Sequence, residues 1–294
     1  MIGCTKLLCG TATVSDAVKY QGISPQHIPA KMLQFSSSKS PLVVFNVTKK
    51  CNLKCKHCYI EARNKDFSGE LTTEEAKTFI DDLASIKTPV LLFSGGEHLI
   101  RGDIYEIAEH AFKKGIMAIL STNGTLITKR IAQRIKDANF KYVGVSLDGL
   151  EEIHDKFRGV RGAFNLSLKG IKNSIDAGLK TGVRFTVTRE NFRDLPKLVD
   201  LIVENDVLRF CMYHLVYSGR GKEIFDLDLS LSEKMELIQY IVNESIKLRD
   251  KEVEILTVDN HADGIYILEY VKKHQPKRFE EVKKLLKMHG GCSA

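Results

Sequence analysis

Leu42-Val43-Val44-Phe45-Asn46-Val47 runs on, after three residues, into Cys51-Asn52-Leu53-Lys54-Cys55-Lys56-His57-Cys58-Tyr59. The apolar run predicts a buried strand, and the loop behind it places three thiols at intervals of four and three residues. Three cysteines can bind three irons of a [4Fe–4S] cube, one thiolate to each, and leave the fourth iron open to a small molecule. A closed electron carrier would want four. Two plainer readings compete. The same intervals mark one face of a helix, on which the cysteines would be small buried residues, but Asn52, Lys54, Lys56 and His57 crowd the interval. Zinc is the stronger rival, because three cysteines and a distant histidine make a closed tetrahedral site. A single triad without a second CxxC pair favours the open iron–sulfur site.

Outward from this join the chain alternates. The strand at 42–48 and the cysteine loop lead to a helix capped by Thr72 or Thr73 and running to about Ile86. Strand 90–93, helix 103–114, strand 116–121, helix 128–138, strand 141–147, helix 163–177, strand 182–188, helix 194–205 and strand 207–216 follow. Strands that are near-continuously apolar suit a parallel sheet covered on both faces. The fold class is therefore α/β. Six βα-type repeats with right-handed crossovers curl into a partial (βα)6, TIM-like barrel over residues 41–221. Residues 1–40 form an N-terminal extension ending in a serine-rich linker, with Cys4 and Cys9 more readily small buried residues than ligands. Residues 222–294 read as a C-terminal αβα segment: a helix near 230–248, strand 253–258 and one or two helices to about Met288.

Composition narrows the function. The 44 basic and 37 acidic residues leave a formal charge of +7, spread along the chain rather than gathered in an arm. That describes a solvated surface, or an anionic small molecule as partner, better than it describes a nucleic-acid binder. No apolar run is long enough to span a bilayer, and Met1-Ile2-Gly3-Cys4 has no basic flank leading into an apolar segment. Seven cysteines, an odd number with three in one loop, argue against a disulfide framework and for a reducing, cytoplasmic setting.

In a sheet of this kind functional residues lie where strands end. Four polar or glycine-rich segments do so: the cysteine loop, Gly95-Gly96-Glu97, Ser121-Thr122-Asn123-Gly124 and Ser146-Leu147-Asp148-Gly149. Two glycines let backbone approach a ligand closely, and Glu97 offers a carboxylate to an ammonium group. Taken alone, Gly95-Gly96-Glu97 and Asp148-Gly149 are equally readable as turns, and Arg158 as a surface cation.

The CxxxCxxC loop, with the aromatic ring of His57 before the last cysteine, resembles the cluster loop of the radical S-adenosylmethionine (SAM) superfamily, and the resemblance runs along essentially the whole chain. It implies two cofactors, a [4Fe–4S] cluster on Cys51, Cys55 and Cys58, and SAM. Gly95, Gly96 and Glu97 would hold the methionine amino group and His57 would lie against adenine. Ser146 would contact the ribose or methionine, and Arg158 its carboxylate. His98 stands where the family usually has proline. The implied chemistry is one-electron reduction of the cluster by a donor such as ferredoxin or flavodoxin, cleavage of SAM, and abstraction of a substrate hydrogen by the 5′-deoxyadenosyl radical.

Three further stretches resemble SPASM/twitch-type enzymes that modify sirohaem-derived tetrapyrroles: residues 1–11, Phe210–Gly221 and Thr257–Gly264. These enzymes include the iron-coproporphyrin synthase of the alternative haem route, which removes acetate side chains from didecarboxysiroheme, and its haem d1 relative. The implied substrate is an anionic iron tetrapyrrole. Arg184, Arg189, Arg209 and Arg220 could pair with its carboxylates, and His214 or His261 could ligate its iron, although each histidine reads more readily as a hydrogen-bonded core or loop residue. A peptide-modifying maturase is the rival enzyme, and a zinc or iron–sulfur binding protein the non-enzyme alternative. Relatives with these stretches continue into a cysteine-rich domain with auxiliary clusters. Cys292 alone stands at that position here, so the expectation is one cluster and a shortened enzyme.

Overall fold

The computed structural model describes residues 1–10, 40–251 and 253–288. They belong to two units: a larger one of residues 40–184 and 216–226, and a smaller one of 1–39, 185–215 and 227–294.

The larger unit is built on parallel strands. β2 (Val43–Asn46), β3 (Val90–Ser94), β4 (Met117–Thr122), β5 (Tyr142–Ser146) and β6 (Thr181–Thr186) pair in sequence order, and the chain leaves the unit within β6. Helices make every crossover: α2 (Thr73–Ser85), α3 (Ile104–Lys113), α4 (Lys129–Asp137), then α5 (Glu151–Arg158) and α6 (Ala163–Asp176). Local chemistry sets their starts. Thr72 caps α2 in a reciprocal box, accepting from the Glu75 N–H while the Glu75 carboxylate accepts from the Thr72 N–H. The Thr128 hydroxyl caps α4 in the same sense, accepting from the Ile131 N–H.

One face of this sheet is closed and apolar. Phe45, Leu91, Phe93, Ala118, Leu120, Val143, Val145 and Val183 alternate along the strands and are buried. The opposite face departs from the near-continuous apolar strands expected. Toward the strand ends it carries Asn46 beside Ser94, Ser121 beside Gly144, and Ser146 beside Arg184. A half-polar face that is neither solvent nor core is the surface on which a polar ligand can be received.

In the smaller unit β7 (Arg209–Tyr213) runs parallel to β8 (Glu254–Val258), and β1 (Ile2–Gly3) lies antiparallel to β8 on its other edge. The first ten residues are thus integral to this unit, with α1 (Cys4–Cys9) against β8 and against α8 (Leu231–Lys247). The unit also holds α7 (Leu195–Glu204), α9 (Ala262–His274) and α10 (Phe279–Met288). Cys4 and Cys211 are buried, and the Cys9 thiol donates to the Ser245 carbonyl at 3.4 Å, so these three are packing residues. Cys292 lies outside the described residues. Among the described residues no helix is long and apolar enough to cross a membrane.

Candidate active site

The site assembles within the larger unit. Beyond β2 the chain forms the thiol loop, and the segment leaving β3 locks onto it: the Gly96 N–H donates to the Thr48 carbonyl at 2.7 Å and the Glu97 N–H to the Lys50 carbonyl at 2.9 Å. A Cβ on Gly95 would stand 2.5 Å from the Thr48 oxygen, and one on Gly96 would stand 2.1 Å from the Lys50 oxygen. What the two glycines permit here is a seam between the two loops, which fixes Glu97 relative to Cys51.

Glu97 is fully buried. Its carboxylate accepts from the Thr122 hydroxyl at 2.9 Å to each oxygen, from the Asn123 N–H at 2.9 Å and from the Leu99 N–H at 3.3 Å. Burial pushes its carboxyl up to about 7, against the pull of these donors. The Asn123 side chain carries the link onward, donating to Asn52 Oδ1 at 2.9 Å with Cys51 Sγ at 3.9 Å. The segment 121–124 stood out in the sequence because it follows a strand; the roles of Thr122 and Asn123 did not, since they depend on what the loop meets. His98 is buried beside Glu97, its Nε2 3.9 Å from Oε1, with neither ring nitrogen hydrogen-bonded. Burial holds its pKa down to about 3.

The other side of the loop rests on α5. Lys54 and Lys56 donate their N–H groups to the Arg158 and Phe157 carbonyls at 3.0 and 2.9 Å. The His57 ring stacks on Phe157 with centroids 4.6 Å apart and planes 14° off parallel. Arg158, expected at a SAM carboxylate, engages two protein groups. Its Nη2 is 2.5 Å from Asp148 and its Nη1 donates to Cys55 Sγ at 3.5 Å. The Asp148 N–H donates to His154 Nδ1 at 3.0 Å. Asp148 and Arg158 therefore meet as an ion pair beneath the loop. Ser146 is half-buried at the end of β5.

The donor set fits an iron–sulfur cube. Each thiol has at least one donor aimed at its sulfur: the Leu53 N–H (3.4 Å) and the Asn123 amide (3.9 Å) at Cys51, Arg158 at Cys55 (3.5 Å) and the Ala62 N–H at Cys58 (3.3 Å). Hydrogen bonds to ligating sulfur stabilise its anionic form and tune a cluster's potential. The loop packs with Leu53, Ala62 and Ala163, an apolar setting that raises the Cys51 thiol to about 12 and raises Cys55 as well.

Of the arginines read as carboxylate partners, Arg189 reaches Glu233 at 3.1 Å and Arg209 reaches Glu254 at 2.6 Å. Arg220 lies on main-chain carbonyls of the thiol loop. Arg184 crosses Gly144 to donate to the Ser121 hydroxyl on the half-polar face. In the smaller unit, buried His214 pairs through Nε2 with Asp263 at 2.9 Å, and Asn260 Nδ2 donates to Asp263 at 3.1 Å. This histidine–carboxylate pair escaped the sequence reading because 49 residues separate its members. His261 sits at the N-terminus of α9.

Residues 45–202 match the model of the Radical SAM superfamily. The chain is 48% identical, over 100% of its length, to Fe-coproporphyrin III synthase of Methanosarcina barkeri, and spans 74% of that protein. It is 39% identical over 85% of its length to the pre-heme d1 synthase of Dinoroseobacter shibae, and spans 63% of it. Streptococcus suis SuiB, solved with its precursor peptide SuiA, superposes with a TM-score of 0.65 over 76% of this chain and 50% of that one, at 22% identity. The last likeness shows the fold, the α/β partial barrel.

Proposed function

Since the chain belongs to the radical SAM superfamily, which uses a [4Fe–4S] cluster and S-adenosylmethionine, we propose that it modifies an iron tetrapyrrole in haem-related biosynthesis, removing acetate side chains from didecarboxysiroheme. When bound, the two cofactors supply the one-electron cleavage that starts a radical reaction. Cys51, Cys55 and Cys58 hold the cluster. Glu97 holds an ammonium group, a strong cation for a buried carboxylate whose hydrogen-bond donors among the described residues are neutral. Gly95 and Gly96 set that carboxylate in place by letting main chain lock onto the thiol loop, Ser146 offers a hydroxyl to the same ligand, and His57 offers an aromatic ring held by its stack on Phe157. Arg158 steadies Cys55 through its pairing with Asp148. Arg184, on the half-polar face, is the guanidinium best placed for a substrate carboxylate.

The observation that carries the substrate is the 48% identity to a Fe-coproporphyrin III synthase, which extends along the whole chain and so beyond the family region 45–202. A haem d1-type modification is the second reading, favoured by the 39% identity. The test is anaerobic reconstitution followed by incubation with SAM, dithionite and didecarboxysiroheme, read by mass spectrometry. Loss of acetate groups is expected. An unaltered tetrapyrrole alongside steady 5′-deoxyadenosine formation rules the substrate out, and a product with other side chains changed selects the second reading.

A further inference from the structure

Gly219-Arg220-Gly221 grips the thiol loop from a point far along the chain. Arg220 Nε donates to the Cys55 carbonyl at 2.8 Å across 165 residues, and Nη1 donates to the Ala62 carbonyl at 3.0 Å. The Arg220 N–H donates to the Cys58 carbonyl at 3.0 Å, and the Ser218 hydroxyl to the Tyr59 carbonyl at 3.4 Å. Glycine is required on the near side of this grip. Gly219 has φ +54°, and a Cβ there would lie 2.4 Å from the Cys58 oxygen. One planar fork therefore spans the second cysteine and the residue whose own N–H points at the third cysteine's sulfur. An ammonium, a single point of charge, cannot reproduce that two-carbonyl geometry.

We propose that Arg220 is a positioning residue for the cluster loop, setting the separation of Cys55 and Cys58 before iron arrives and keeping a fixed positive charge beside them. It is thereby withdrawn from the carboxylates of a substrate. A fixed cation near a cluster favours the reduced, more negative state and raises its potential. The inference rests on the cluster reading of the three thiols, and the experiment separates the two.

Arg220→Gln and Arg220→Lys are compared with the unchanged 294-residue chain. In the metal-free proteins, amide hydrogen exchange over residues 51–62 is expected to quicken about tenfold or more in Arg220→Gln and less in Arg220→Lys. After reconstitution, iron loss to a chelator is expected to quicken by a similar factor in Arg220→Gln. Its cluster potential, followed by electron paramagnetic resonance, is expected to fall and to be restored in part by lysine. If glutamine unfolds the chain, exchange quickens everywhere and the lysine variant decides. Exchange, iron loss and potential all unchanged, with a raised KM for the tetrapyrrole, would overturn the proposal and make Arg220 a carboxylate anchor. An unchanged chain that takes up no iron would instead overturn the cluster reading, leaving the exchange result to speak for the grip.

Discussion

Glu97 combines full burial with neutral donors only at hydrogen-bonding distance, which is why its carboxyl is pushed up to about 7. An ammonium ligand needs the ionised form, whose fraction grows as pH rises through that value. SAM affinity is thus expected to weaken as pH falls below 7, because binding must first expel a proton. Glu97→Gln should cost about 10- to 100-fold in affinity, keep the cluster and abolish this pH dependence. Calorimetry from pH 6 to 8 checks it, and unchanged binding would remove Glu97 from the site. The buried histidines act in the opposite sense. Burial lowers His57 and His154 to about 4 and His98 to about 3. Unfolded, they take protons below their ordinary value of 6.5, whereas folded they resist until about pH 4. Their contribution to stability is whole above 6.5 and is lost as pH falls toward 4; Glu97, whose folded pKa is raised, offsets about one of the three protons. His98→Met should reduce the proton uptake on unfolding by about one, read from urea midpoints between pH 4.5 and 6.5. An unchanged slope would show that His98 is not held neutral. Cys51, Cys55, Cys58 and Glu97 were legible as candidates from residue type and spacing. Arg158 was legible as a candidate too, but its pairing with Asp148 and Cys55 was not, because an ion pair beneath a loop leaves no periodic trace.

The strand–helix alternation was plain because each strand keeps its apolar residues in a short run and α2 announces itself with Thr72 and Glu75. α5 was missed: of its eight residues only Ile153 and Phe157 are apolar, too few to show a helical period. β1 was missed because two residues carry no alternation. The seam that matters most to the site lies between α6 and the loop after β4. A Cβ on Gly170 would meet the Gly124 carbonyl oxygen at 2.2 Å, so the helix presses directly on the segment that holds Glu97. Gly170→Ala should therefore destabilise by about 1–3 kcal/mol through overpacking and weaken SAM binding together with stability. Gly102→Ala, with nothing within 4 Å of the new methyl, should stay within about 0.5 kcal/mol. Urea unfolding of both variants checks this; equal stabilities would mean the helix can move away without consequence for the loop.

At the scale of the molecule, the thiol loop, Glu97 with its donors, the Asp148–Arg158 pair, Arg184 and the Arg220 grip all belong to the larger unit. Cys4, Cys9 and Cys211 belong to the smaller one, packed as described. One cube held by the triad gives about four irons per chain. The whole reading stands on the thiols of residues 51–58 binding a cluster that cleaves SAM. The direct measurement is iron, sulfide and 5′-deoxyadenosine in anaerobically reconstituted protein given SAM and dithionite, beside Cys55→Ala. The expected result is about four irons and steady deoxyadenosine from the unchanged chain, with both lost in Cys55→Ala. Deoxyadenosine formed by Cys55→Ala at the unchanged rate would contradict it.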